Sequence, residues 1–370
     1  MKLAYLANVR YPSERAHAAQ ITHMCQAFAE NRVEIDLFVN RRYLATKSEV
    51  DTCFDINSKF SVVRISHGWF YTRIKASFYI SELLFVLSFV LTKKYKSYDI
   101  IYARSEWIML GLSFFAPHKK LIWESHEAKL NLAARALLKK DIKTVVISEG
   151  IYEAYEKSGV PKEQMIVAHD GIDESFFELP MSQAEARRRL GLSKYTQIVM
   201  YIGGFDLWKG VDTFFAAQDV CPEVTFVAIG GNSEQLSRYA KQYPSVIFLG
   251  QRPYSELRLN QQAADVLAIP NTASNSLSEK YTSPLKLFAH MASGVPIVAS
   301  NIASIKTVTG ELVTLVEPDN AAALASGIEA VLQNYEENKL RAQALKDVSM
   351  QYTWTKRAKN ILDFFAHGNP

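Results

Sequence analysis

Cysteine is scarce in this chain: Cys25, Cys53 and Cys221 are the three among 370 residues. Their wide separation excludes a disulfide framework and a thiolate metal centre, and it fits a reducing, cytoplasmic compartment. No G-x-G-x-x-G turn follows "KLAYLANV" or "IVMYIGG", the apolar runs that open the two halves, which counts against a dinucleotide site of the dehydrogenase kind. Internal repeats and low-complexity tracts are missing too. No apolar run reaches bilayer length. The longest, "ASFYISELLFVLSFVLT" from Ala76 to Thr92, has 17 residues with Glu82 inside, short of the roughly 20 that a span needs. Strong charge is also lacking. The net +4 comes entirely from residues 1–175, with 24 basic against 20 acidic residues, while 176–370 hold 18 of each. Nothing in that balance argues for a nucleic-acid partner. The opening "MKLAYLANVRYP" is broken by Asn8 and Arg10, so it reads as a first buried strand rather than an export signal.

What is present is the balance of a globular protein, 48% hydrophobic and 22% charged residues, in a length that suits two domains. Short apolar runs alternate with helical patterns along the chain, the signature of parallel sheets wrapped on both faces. The alternation breaks at "DESFFELPMSQAEARRRLGLSKYTQ", with Pro180 and Gly191, and restarts at "IVMYIGG". The expected division is therefore 1–178 and 190–352, with the amphipathic tail 353–370 free to dock on either half. Two doubly wound Rossmann-like domains facing each other across a cleft would bring together the loops at 8–20, 103–107, 124–128, 203–209, 230–233 and 271–286, because open parallel sheets bind ligands beyond their carboxyl ends.

Several segments in those loops carry chemistry. In "YTSPLKLFAHMASG" the Thr282-Ser283-Pro284 entry predicts a helix start, with Ser283 as cap and Pro284 where a missing N–H costs nothing. Free amides there suit a phosphate, and Lys286 on the first turn opposes the helix dipole unless an anion is near. "GGFDLWKGVD" puts Gly203 and Gly204 at a strand end and Lys209 at the start of the next helix. "WESHEAK" places Glu124 and His126 just past an apolar strand, where the histidine is a candidate proton handler or hydrogen-bond donor. "NVRYPSERAHAAQ" concentrates Arg10, Ser13, Glu14, Arg15 and His17 between the first strand and helix. The bland readings remain open beside these: a helix cap, a surface lysine, a capping histidine.

Together with "VISEGIYEAYEKSGVPKEQMIVAHDGIDESFF", these segments resemble the retaining glycosyltransferases of family 4, and the resemblance covers nearly the whole chain. It implies the GT-B architecture of two facing Rossmann-like domains and transfer of a sugar from a nucleotide-diphosphate sugar with retained anomeric configuration, without a cofactor and usually without a metal. The expected donor is a UDP-hexose, leaving UDP, and the acceptor a saccharide or lipid-linked saccharide bound by Arg10, Ser13, Arg15, His17 and Glu124 of the N-terminal domain. By the match, Lys209 neutralises donor phosphates, Gly203, Gly204, Thr282, Ser283, Pro284, Leu285 and Lys286 line their cradle, Arg252 of "GQRPYSEL" lies at the base, and His126 reaches the sugar or leaving phosphate. The final helix crosses back onto the first domain.

Two departures stand out. Gly204 occupies a position where the family often has arginine, and Tyr281 and Ala289 occupy those of its paired glutamates, with Glu279 close enough to stand in for the first. A helix N-terminus and two lysines would stabilise the leaving diphosphate by preorganised electrostatics. A same-face attack, with that phosphate taking the acceptor's proton, is then the economical route. An epimerase of the same architecture and a non-catalytic nucleotide-sugar binder are the competing readings. The basic residues flanking 76–92 suggest peripheral contact with the inner face of the membrane.

Overall fold

Apolar runs of three to seven residues, bounded by turn residues, become parallel strands buried on both faces, and the helices between them supply the cover. The computed structural model describes residues 1–13, 16–40, 47–54, 56–65, 76–177, 181–281, 283 and 285–367. It divides into two compact units, Met1–Asp170 with Trp354–Pro370, and Gly171–Thr353.

The first unit holds β1 (Lys2–Ala7), β2 (Glu34–Asn40), β3 (Ser61–Ile65), β4 (Ile100–Ala103), β5 (Leu121–Ser125), β6 (Lys143–Val146) and β7 (Met165–Val167) in the order β3-β2-β1-β4-β5-β6-β7. The second holds β8 (Ile198–Ile202), β9 (Thr225–Ile229), β10 (Ile247–Gly250), β11 (Val266–Ile269), β12 (Ile297–Ser300) and β13 (Thr314–Val316) in the order β10-β9-β8-β11-β12-β13. Each order reverses once, between β1 and β4 and between β8 and β11. The crevice beyond those strand ends is where such sheets bind ligands.

Period-two alternation explains the double cover. In β8, Ile198, Met200 and Ile202 enter one apolar cluster, while Val199 and Tyr201 enter the other. The 76–92 run forms the helix Ala76–Leu91. It buries Glu82, Phe85, Val86 and Phe89 but leaves Phe78, Tyr79, Ile80 and Leu83 exposed. Among the described residues no helix is long and apolar enough to cross a membrane.

The final helix, Trp354–His367, belongs to the first unit. It is tied there by Arg357 and by Thr355, whose carbonyl accepts from Asn31 Nδ2 at 3.0 Å.

Candidate active site

At the reversal point of the first unit, Asn8 and Val9 follow β1 and Arg104 and Ser105 follow β4. They border a cavity of about 440 Å³ that is also lined by His17, Glu82, Trp123 and His126. Ser105 caps the helix Glu106–Leu112 by accepting from the Ile108 amide, and its hydroxyl donates to Glu82 at 2.5 Å. Asn8 Nδ2 donates to the other Glu82 oxygen at 2.8 Å. Burial pushes the Glu82 carboxyl up to about 6, against the opposing pull of these two donors.

Glu124 lies beneath this cavity with no exposure. Its oxygens accept from Gln20 Nε2 at 2.7 Å, His126 Nε2 at 2.6 Å, Arg357 at 3.1 Å and the Tyr102 hydroxyl, with Arg104 Nε at 3.8 Å. Every lone pair faces a donor, so Glu124 braces Arg104 and His126 and has no oxygen left for an acceptor hydroxyl. That corrects its expected role as a direct acceptor ligand. His126 lines the cavity, with Nδ1 placed 3.2 Å from Arg104 Nη2. Burial, then the Arg104 charge, lowers its pKa. A neutral ring that donates from Nε2 to Glu124 and accepts at Nδ1 satisfies both contacts.

The other first-unit candidates divide. His17 lines the cavity, and its carbonyl accepts from Arg104 Nη1 at 3.3 Å. The Ser13 hydroxyl is buried without a hydrogen-bond partner, Arg10 is exposed, and Arg15 lies outside the described residues. Arg104, Asn8, Glu82 and Ser105 are the cavity residues that motif reading missed. Loop 103–107 was a legible pointer to Arg104, but Glu82 sat inside an apolar run and read as a blemish in it.

In the second unit, Lys209 ends the turn Leu207–Lys209. Gly210, at φ 68°, holds that turn against the β11 end: a Cβ there would lie 1.7 Å from the Pro270 carbonyl oxygen. Glycine at 210 is thus a steric requirement of this close approach. Lys209 Nζ meets Asp206 Oδ2 at 2.6 Å, and a Cβ on Gly204 would fall 2.9 Å from that Nζ and 3.1 Å from that oxygen. A side chain at 204, where the family resemblance expects arginine, would have to displace the end of Lys209. Gly203, at φ 155°, donates its N–H to the Ile229 carbonyl at 2.9 Å.

Lys286 lies on the first turn of the helix Leu285–Ser293. Its Nζ is buried without a hydrogen-bond partner, 4.9 Å from the centre of the Tyr201 ring. Burial, then the Lys209 charge, brings it down to about 7, with Asp206 acting the other way. Asn271, at the β11 end, is fully buried with both side-chain polar atoms unpartnered. It is a further site candidate that no motif announced.

The remaining expectations are less concentrated. Arg252 is held by Glu256 at 2.7 Å. Glu279 lies in the π-turn Leu277–Tyr281, 3.6 Å from Lys280 Nζ. Ser283 is buried, while Thr282 and Pro284 lie outside the described residues. Ala289 is 2% exposed inside the cluster of Ile269, Phe288 and Met291. The position of the second family glutamate is thus core here.

Residues 196–334, covering this lysine pair and the β8–β13 sheet, match the family described as glycosyl transferases group 1. The match lies wholly within the second unit. Among curated relatives, the D-inositol 3-phosphate glycosyltransferase of Corynebacterium aurimucosum is 25% identical over 245 residues, 61% of this chain and 56% of that protein. The chain spans about half the length of the curated relatives it matches. Sucrose-phosphate synthase from Thermosynechococcus elongatus has the same fold, with a TM-score of 0.80 at 19% identity over 99% of this chain and 98% of that one. So does Anabaena HepE in complex with UDP-glucose, with a TM-score of 0.75 at 18% identity over 99% of each. The chain is accordingly an α/β protein of GT-B architecture.

Proposed function

We propose that this protein is a retaining glycosyltransferase that moves a hexosyl group, glucosyl in the first instance, from a UDP-sugar to a saccharide or lipid-linked saccharide. The observation that carries the reading is the Lys209–Lys286 pair at the β8 end, one ammonium sharing Asp206 and the other buried without a partner. Such a pair has a deficit of negative charge that a diphosphate would make good. A family glycosyl transferases group 1 match over the same residues and a UDP-glucose complex with the same fold support the choice of donor.

In this reading the second unit stabilises the charge that develops on the leaving diphosphate, since fixed ammonium groups act strongly where water is excluded. The first unit holds the acceptor in the Glu82–His126 cavity. Neutral His126, oriented by Glu124 and Arg104, presents its ring edge to a hydroxyl or phosphate. The acceptor's proton passes to the leaving phosphate oxygen as the new glycosidic bond forms on the face where the old one breaks.

UDP should raise the melting temperature more than GDP or ADP does, because a ligand that binds only the folded state at 100 times its dissociation constant adds about 2.7 kcal/mol. Lys209→Ala should weaken UDP binding roughly tenfold to a hundredfold while the protein stays folded. Equal shifts with GDP would overturn the base assignment. Undiminished UDP affinity in the variant would make Lys209 a bystander.

A lipid-linked acceptor is favoured by the exposed Phe78, Tyr79, Ile80 and Leu83, because Phe78 and Glu82 of the same helix line the cavity. Lys93, Lys94 and Lys96 follow the helix, and each basic residue near an anionic surface contributes about 1 kcal/mol. The protein should co-sediment with phosphatidylserine-containing vesicles at low salt and less so at high salt. Leu83→Glu should abolish the effect. Failure of the wild type to co-sediment would leave a water-soluble saccharide as the acceptor.

A further inference from the structure

The two lysines of the second unit stand in opposite conditions. Lys209 has its counter-charge in Asp206 at 2.6 Å and is also 5.2 Å from the Trp208 ring centre. Lys286 has none: its Nζ is buried and unpartnered against the Tyr201 ring. The groups facing it are Lys209 and Asp206 from the turn after β8, Tyr201 from β8 and His290 from its own helix.

Tyr201 does not supply charge. Its hydroxyl donates to the Gly204 carbonyl at 2.7 Å, and burial keeps it far above its ordinary value. His290 is fully buried with Nδ1 placed 2.9 Å from Gln261 Nε2. Burial, then Lys286, pushes it down to about 3, so it is neutral near pH 7. One carboxylate therefore serves two ammonium groups, and the second ammonium is destabilised until an anion arrives.

We propose that binding of a nucleoside diphosphate in the second unit is coupled to the uptake of one proton from solvent by Lys286. The inference rests on the donor site assigned above. In the free protein Lys209 is clamped to Asp206 and Lys286 sheds its proton readily. The entering diphosphate brings more negative charge than Asp206 alone provides, so both lysines are held protonated and the pKa of Lys286 rises. Sugar transfer leaves the diphosphate in place, and departure of the product releases the proton.

The sign follows from linkage: a group whose pKa rises on binding favours the complex below its free value and opposes it above. UDP affinity should therefore fall roughly tenfold per pH unit above about 7, where Lys286 of the free protein is losing its charge. The phosphates' own last ionisation, at about 6, is complete in that range.

Isothermal titration of UDP into the full chain, in buffers of equal pH and different ionisation enthalpy, reads the proton directly. Near pH 8 the dependence of binding enthalpy on buffer should correspond to about 0.9 proton taken up per nucleotide. Near pH 8, Lys286→Met should bind UDP more weakly and without buffer dependence, and its pH profile should be flat above about 7. Wild-type binding with no buffer dependence overturns the coupling while the donor site stands. No binding of UDP, GDP or ADP overturns the donor site and the coupling with it. Proton uptake that persists in a folded Lys286→Met protein assigns the proton elsewhere and overturns the proposal.

Discussion

Glu124→Ala should lower the stability of the first unit by about 3–5 kcal/mol, the cost of leaving a buried charge without its partner. Arg357 is the residue left exposed to that loss. It is 4% exposed, its Nη1 already has no hydrogen-bond partner, and Glu124 provides the carboxylate that its Nη2 meets at 3.1 Å. Its Nε donates to the Ala168 carbonyl at 3.1 Å, so Arg357 ties the final helix to both the β5 end and the segment after β7.

Urea unfolding followed by probes in each unit should show the first unit's midpoint falling and the second unit's unchanged. An unmoved first transition would mean that Glu124 contributes no net stabilisation. Glu124→Gln should cost less, since it keeps the shape and the hydrogen bond to Arg357.

The same carboxylate predicts a pH dependence. Burial alone would raise its pKa, but Arg357, His126 and Arg104 together hold it well below its ordinary 4.5. A group with a depressed folded value contributes stability above its unfolded value and loses it as pH falls through the folded one. The first unit should weaken progressively below about pH 4.5, and Glu124→Gln should flatten that decline.

Ala289→Glu should destabilise the second unit by on the order of 4 kcal/mol or more, because it places an unpaired carboxylate in a packed apolar cluster. Ala289 is 2% exposed among Ile269, Phe288 and Met291, on the helix that carries Lys286. The introduced acid should titrate upward, so the deficit should shrink as pH falls. Melting curves combined with UDP titration test this: a lower melting temperature without tighter UDP binding is expected. Tighter binding with an unchanged melting temperature would return position 289 to the ribose, as the family resemblance implies.

These two residues mark the limit of what could be read from the chain alone. The alternation of apolar runs with amphipathic segments determined two parallel α/β sheets, because strand and helix periods are local properties that survive without knowledge of the fold. The sites were legible as loops for the same reason: ligands meet the carboxyl ends of parallel strands, and Lys209, His126 and Lys286 all follow such runs. Which way a side chain points was not legible. Glu124 looked like a loop carboxylate free to bind, and only the arrival of Arg357, 233 residues later, made it a buried brace. Glu82 looked like an interruption in an apolar helix until β1 and the segment after β4 brought Asn8 and Ser105 to it. Ala289 could have faced a ligand or the sheet, because one helix turn offers both. Tertiary packing alone decided these cases, since each depends on a partner set by sheet order, and sheet order leaves no periodic trace in the sequence.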